Sequence, residues 1–323
     1  MTEMISKLLD EPVVWKSDTS LPNDGIVSID DACHAELTET LQTIRSNPLP
    51  MVALNPADFH MPACKDLMAT VKETLDTGIG FAILDTVPVD EMEKDEAKAL
   101  YWLLLSMIAK SVSQSWEGKM MFDVTDTGHQ AGPGTGIRGA MTNNRHRYHT
   151  DNAYNLAPEY VSLLCLRTAK EGGISGLVSF YAVHNVLLEE YPDLLPRFYE
   201  PFPYERHRQH APDDDLIRPK PLFEYDGTAL KVCLGVSRIR AGYELMGEKM
   251  DARTEAALDA LDEVLLRPDL GKEFIFEPGQ IQILNNSRIA HRRTAYTDWP
   301  EPDRKRHLAR IWLRNNGRRF YMG

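Results

Sequence analysis

Apolar positions recur at helical spacing in several stretches. Leu67, Val71 and Leu75 stand four apart, so residues 65–76 read as an amphipathic helix that ends at Gly78. Residues 34–45 read the same way, with Asp30 and Asp31 as capping candidates and Asn47-Pro48 as the stop. Residues 97–111 form a Leu- and Ala-rich helix, and 251–266 carry Leu258, Leu261 and Leu265 on one stripe behind an Asp251 cap. Short apolar runs bounded by Gly and Pro predict strands at 80–84, 160–166, 177–180, 274–276, 281–284 and 308–313. Helices lie mostly in the first half and strands in the second, without regular βαβ alternation. That pattern predicts an α+β fold, or a β-barrel-like core dressed with helices.

Composition narrows the function classes. A chain of 323 residues is one large domain or two fused ones. The net charge of −12 argues against a general nucleic-acid binder, which needs a basic face. No stretch approaches the ~18 uninterrupted apolar residues of a membrane span. Glu3, Asp10 and Glu11 interrupt the start, which does not read as a signal peptide. Cys33, Cys64, Cys165 and Cys233 form no CxxC pair, so neither a zinc knuckle nor a disulfide framework is expected, and a reducing cytoplasm fits. Nothing in the chain speaks to oligomeric state.

Charge is unevenly spread. Residues 286–323 hold ten basic against three acidic side chains, a local +7 in an acidic chain. These arginines alternate with apolar residues, as in Leu308-Ala-Arg-Ile-Trp-Leu313, which reads as a buried element. Buried arginines need anions, so a small anionic ligand is expected. Gly132, Gly134, Gly136 and Gly139 lack the strand-then-helix context and the Gly-Lys-Ser/Thr of a phosphate loop. They read as a surface loop, with an active-site lid as the second reading.

The candidate chemistry starts at His149-Thr-Asp151. In an extended chain, residues two apart share a face, so imidazole and carboxylate can meet at one point. Downstream, the strand after Gln280 leads to a single histidine, His291. Two histidines and one carboxylate make the facial triad of non-haem iron oxygenases. The competing reading is three hydrogen-bonded structural residues. Arg306 lies fifteen residues beyond His291, and Arg310 four further, so a strand would put both guanidinium groups on one side. Such a fork suits a dicarboxylate, although a salt bridge to one of the 48 acidic residues is the default for either.

Taken together these stretches resemble the taurine dioxygenase/TfdA-like, clavaminate-synthase-like family of Fe(II)- and 2-oxoglutarate-dependent dioxygenases. The matching segments are Tyr148-His-Thr-Asp-Asn-Ala-Tyr-Asn155, Gly172-Gly-Ile-Ser175, Asn285-Asn-Ser-Arg-Ile-Ala-His291 and Arg306-His-Leu-Ala-Arg310. Their order and spacing follow the family across roughly residues 78–314. The resemblance implies a jelly roll, or double-stranded β-helix, with surrounding helices. It further implies residues 1–77 as an N-terminal helical extension, and 78–323 as the dioxygenase domain with a helical insertion around 185–270.

By the same resemblance, His149, Asp151 and His291 are the Fe(II) ligands and Arg306 holds the distal carboxylate of 2-oxoglutarate. Ser175 adds its hydroxyl to that carboxylate, and Arg310 matches a second family arginine near co-substrate or substrate. The reaction implied is oxidation by O2, most simply hydroxylation, with release of succinate and CO2. Desaturation, ring closure or oxidative cleavage stay open, and Asp151 excludes a halogenase, which lacks that carboxylate. The chain departs from many relatives at Arg292, where they carry Gly; it either points to solvent or charges the pocket.

Arg145 and Arg147 share parity with His149, so an unbroken strand would turn them toward the pocket, favouring a small anionic or zwitterionic substrate. A bulge or an internal salt bridge would remove that inference. Asn143, Asn144, Gln114 and Tyr154 are weaker candidates for substrate contacts. Two other classes stay open at this point: a catalytically silent barrel that binds a small ligand, and a Zn(II) hydrolase on the same triad.

Overall fold

A computed structural model describes residues 3–19, 21–129 and 137–322. In chain order the described strands are β1 Ile26–Ser28, β2 Phe81–Asp85, β3 Lys110–Val112, β4 Met121–Val124, β5 His146–His149, β6 Tyr160–Arg167, β7 Glu171–Gly172, β8 Ser175–Ser179 and β9 Phe202–Glu205. There follow β10 Ile217–Lys220, β11 Phe223–Tyr225, β12 Leu230–Val232, β13 Gly271–Phe274, β14 Ile281–Asn285, β15 Ile289–Arg293, β16 Tyr296–Thr297 and β17 His307–Arg314. The helices are α1 Asp31–Ser46, α2 Pro62–Asp76, α3 Lys94–Ile108, α4 Phe180–Glu190, α5 Val236–Met246 and α6 Ala252–Leu265.

The larger sheet runs β1-β2-β14-β6-β17-β3, with β4 also paired to β17. The smaller runs β13-β8-β15-β5. The central strands β14 and β17 are buried along their whole length, so their hydrophobic pattern is continuous rather than alternating. Leu164, Ile281, Ile283, Ala309, Ile311 and Leu313 pack in one core with side chains of α1, α2 and α3. Phe81, Val161, Leu284 and Trp312 pack in the other, with Leu177, Val178, Ile289 and Ala290 of the smaller sheet. The larger sheet therefore carries helices on one face and the smaller sheet on the other. This is a mixed α/β architecture with a two-sheet core.

Local chemistry sets the helix ends. The Asp30 carboxylate accepts from the Cys33 N–H and starts α1. Pro62 opens α2, where both oxygens of Glu36 accept from the Ala63 and Cys64 N–H groups at 2.9 Å. A Glu93/Glu96 capping box starts α3, and Asp251 caps α6 as expected.

Several expectations need correction. The helix expected to reach residue 111 stops at Ile108, because Lys110–Val112 pairs with β17. Phe180 does not end a strand: Ser179 accepts from the Ala182 N–H and turns the chain into α4. The strand expected at 274–276 lies at Gly271–Phe274. The stretch 185–270 is not purely helical, since β9–β10 and β11–β12 form two small antiparallel sheets there. Gly132, Gly134 and Gly136 lie outside the described residues, and Gly139 opens a short 3-10 turn. All four cysteines are buried and free. No helix among the described residues is long and apolar enough to cross a membrane.

Candidate active site

β5 and β15 run antiparallel in the smaller sheet with His149 directly opposite His291. Their rings lie 4.2 Å apart between centroids. Asp151 follows β5 in a loop held from two sides. Its N–H donates to Asn286 Oδ1 at 2.8 Å, and Asn286 Nδ2 returns a bond to the Asp151 carbonyl at 3.0 Å. Thr150 exchanges bonds with the backbone of Leu234. Asn152, next in line, takes a left-handed φ of 56°, a costly conformation for a residue other than Gly that this network sustains.

Nitrogen atoms of His149 and His291 and an oxygen of Asp151 all lie within 4.8 Å of one another. Asp151 Oδ1 is 3.4 Å from His149 Nε2 and 3.8 Å from His291 Nε2. The other oxygen, Oδ2, is occupied by Trp312 Nε1 at 2.6 Å and Arg310 Nη1 at 3.0 Å. His149 Nδ1 contacts the Arg147 carbonyl at 2.9 Å, which places the proton on Nδ1 and leaves the Nε2 lone pair for a ligand role. Burial would raise the Asp151 carboxyl, but Arg310 and the two imidazoles hold it well below the usual range. Burial pushes His291 down to about 3, so its imidazole is neutral. An ionised carboxylate and a neutral imidazole are the forms that bind a metal. The donor set, its convergence and the orienting bonds fit a divalent iron.

A narrow cavity runs from His149 and His291 past Ser175 and Gln282 to Arg293 and Arg306. Arg306 is 4% exposed, its guanidinium has no carboxylate partner among the described residues, and its buried Nη1 has no hydrogen-bond partner. Gln282 Nε2 in the same cavity is also unsatisfied, and the Arg306 guanidinium lies 5.0 Å from the centroid of the Tyr296 ring. Buried donors around an unpaired cation fit the far carboxylate of a small diacid.

Other candidates fall elsewhere. Arg310 pairs with Asp151, and Gln114 is wholly engaged in holding it: Gln114 Oε1 accepts from Arg310 Nε at 2.9 Å, and its Nε2 donates to the Arg310 and Met120 carbonyls. Arg147 is exposed and bridges to Asp262 at 3.1 Å. The parity argument failed because β15 pairs His291 with His149 but Arg293 with His146, a register shift that flips the strand. Consequently His146, not Arg147, lies against His149, with ring centroids 3.7 Å apart. Arg292 pairs with Glu273 and lies over Tyr148. Tyr154, Asn144 and the exposed Arg145 line a wider cavity beside the triad, whereas Asn143 is exposed and offers its carbonyl to Tyr296. Trp312, known from sequence only as a strand-mate of Arg310, is the site residue that pattern reasoning missed. Its role depends on a contact 161 residues away in sequence.

The site and its scaffold match one family. Residues 45–312 match the model for taurine catabolism dioxygenase TauD, TfdA family, and the chain belongs to that family. Among curated proteins it is 26% identical to FR-33289 synthase of Streptomyces rubellomurinus, over 99% of this chain and 94% of that one. It is 24% identical to the taurine hydroxylase-like protein SAT17 of Stachybotrys chartarum, over 96% and 80%. Among solved structures, an asparagine oxygenase complex with Fe(II), 2S,3S-3-hydroxyasparagine and succinate aligns with a TM-score of 0.67, covering 90% of this chain and 93% of that one at 17% identity. The non-haem iron oxygenase OrfP with Fe and alpha-ketoglutaric acid aligns at 0.62, over 90% and 94% at 16% identity. The fold is theirs, and a His-Asp-His triad lies within it.

Proposed function

We propose that this dioxygenase uses Fe(II) at His149, Asp151 and His291, with 2-oxoglutarate and O2 as co-substrates, to hydroxylate a small anionic or zwitterionic molecule, releasing succinate and CO2. The observation that carries the reading is the pairing of a convergent triad with a buried Arg306, its Nη1 unsatisfied and no carboxylate beside it among the described residues, across one cavity. A silent ligand-binding barrel or a zinc hydrolase has no need of both. Bound iron would supply the oxygen-activating chemistry, and the chain's own groups do the rest.

Asp151 offers Oδ1 to the metal because Trp312 and Arg310 hold Oδ2. His149 is fixed in one tautomer by the Arg147 carbonyl. Arg306 pairs with the C5 carboxylate of 2-oxoglutarate, with the Ser175 hydroxyl and Gln282 amide alongside. Arg310 orients Asp151 and borders both cavities. The asparagine oxygenase and OrfP structures, with hydroxylated amino acids bound, support a small substrate that carries an amino-acid carboxylate. Within this reading the two-sheet core is a double-stranded β-helix, residues 78–323 are the oxygenase unit and 1–77 an extension packed on it. A screen of small acids for substrate-dependent succinate release tests the proposal. Coupled release with one class of acids supports it; no release with 2-oxoglutarate and Fe(II) under any acid contradicts it.

A further inference from the structure

The wider cavity, about 230 Å³, is bordered by His149 and Asp151 and by Trp312. Its charged lining is lopsided. Arg138, Arg145, Arg238 and Arg310 face it, with Asp151 as the one carboxylate among the described lining residues. Asp151 is committed to the metal and already neutralised by Arg310. With Arg310 paired to Asp151 and Arg238 to Glu205, Arg138 and the exposed Arg145 are left without a carboxylate among the described residues, and covering them becomes costly when a substrate displaces their water, unless it brings its own negative charge.

Two of these arginines are built in rather than floating. Arg138 donates to the Gln114 carbonyl at 2.8 Å and to Gln209 Oε1, and lies over the Phe122 ring. All these partners are neutral, and Arg138 has no carboxylate partner among the described residues. Arg238 is anchored through one nitrogen only, Nη1, to Glu205 at 2.5 Å and His207 Nδ1 at 2.6 Å. Its Nε and Nη2 have no protein partner among the described residues. It belongs to the first turn of α5, and Gly235, Ser237 and Arg238 of that turn all border the cavity. Gly235 brings no capping side chain; its carbonyl takes the Arg238 and Ile239 N–H groups, and the Val236 and Ser237 N–H groups have no acceptor among the described residues at the positive end of the helix dipole. His207, beside Arg238 on the same cavity, is held at a φ of 51°, strained for a residue with a side chain. Tyr154 lines the same cavity as Arg138, Arg238 and Arg310.

We propose that Arg138 and Arg238, with the first turn of α5, recognise an oxyanion head group on the substrate, a carboxylate, sulfonate or phosphonate, and so select which molecules reach the triad. The inference deepens the anionic-substrate reading above and rests on it. It relocates the recognition from Arg147, which Asp262 occupies, and from Arg310, which Asp151 and Gln114 occupy. A fixed guanidinium pair plus a helix N-terminus favours multiply charged head groups over singly charged ones.

The test is calorimetry on the anaerobic Fe(II)/2-oxoglutarate-loaded protein with methylphosphonate, methanesulfonate and acetate as probes. The expected result is saturable binding of at least one probe, methylphosphonate tightest. Arg138→Gln and Arg238→Gln should each weaken it tenfold or more, Arg238→Lys less, and Arg147→Gln less than twofold. The visible absorption of the 2-oxoglutarate complex should persist in every variant, since Arg306 is untouched. The proposal is overturned if no probe binds the wild type, if acetate binds tightest, if both Gln variants bind as wild type, or if they lose the 2-oxoglutarate absorption together with the probe. Should Arg238→Gln unfold, the double change with Glu205→Gln removes both members of that pair and Arg138→Gln stands alone. If the wild type shows no 2-oxoglutarate absorption, the iron reading fails instead, and the same titration on metal-free protein decides the anion site.

Discussion

The indole Nε1 of Trp312 donates to Asp151 Oδ2 at 2.6 Å, and that bond, with Arg310 at 3.0 Å, leaves Oδ1 as the oxygen turned to both histidines. A carboxylate free to rotate would offer either oxygen or both. The tryptophan on β17 thus fixes which oxygen of Asp151, in the loop after β5, faces the two histidines.

Trp312→Phe keeps the ring packed and removes only the donor. Losing such an orienting partner typically costs 10–100-fold in metal affinity or activity. Fe(II) binding should weaken on that scale while thermal stability changes little. Unchanged Fe(II) affinity and turnover in Trp312→Phe would show that Arg310 alone suffices.

Arg306 carries the co-substrate assignment. It is buried with an unsatisfied Nη1 and no carboxylate partner among the described residues. Removing one member of a buried charge pair costs about 3–5 kcal/mol, on the order of hundreds-fold in affinity. Arg306→Ala should raise the 2-oxoglutarate KM on that scale and the substrate KM far less. An equal rise in both would reassign the clamp.

How much of this site was legible depended on sequence distance and on strand regularity. His149 and Asp151 are two residues apart, so their common direction follows from local geometry. His291 and Arg306 were legible through the resemblance carried by Asn285–His291 and Arg306–Arg310, since a structural histidine and a salt bridge were the competing readings of each residue alone. Arg147 was misplaced because parity holds only in an unbroken strand, and the register shift between His291 and Arg293 is invisible in the residues themselves, whereas Arg145 does line the cavity beside the triad. The Trp312–Asp151 bond and the Arg138/Arg238 wall join segments about a hundred residues or more apart, with no spacing to betray them. In the fold, α2 was readable from the four-residue spacing of Leu67, Val71 and Leu75, although the stripe it buries is Cys64, Met68, Val71 and Leu75 and Leu67 is half-buried. α4 was not, because Phe180 to Leu187 is buried on nearly every side and shows no helical period.

Buried imidazoles make stability depend on acid. Burial pushes His184 down to about 4, with its Nε2 2.8 Å from the Tyr199 hydroxyl, and His207 down to about 4 as well. Unfolded, each binds a proton near pH 6.5. Between those values the unfolded state holds more protons, so stability is fully present above about pH 6.5 and is lost as pH falls toward 4. For His184 the loss is about 3 kcal/mol at most. Urea midpoints measured from pH 7 to pH 4 should fall, and His184→Gln should flatten the slope even though its stability at pH 7 is lower. An identical pH slope in that variant would remove His184 from the account.

The central claim is that the triad and Arg306 serve one metal and one diacid. Its most direct test is an anaerobic titration of the protein with Fe(II) and then 2-oxoglutarate, followed by visible absorption, on wild type and Asp151→Ala. The account predicts a weak charge-transfer band in the wild type that saturates with 2-oxoglutarate, and its loss or strong weakening in Asp151→Ala with the fold intact by circular dichroism. A wild type without the band, or an Asp151→Ala protein that shows it at the same concentrations, would contradict the account.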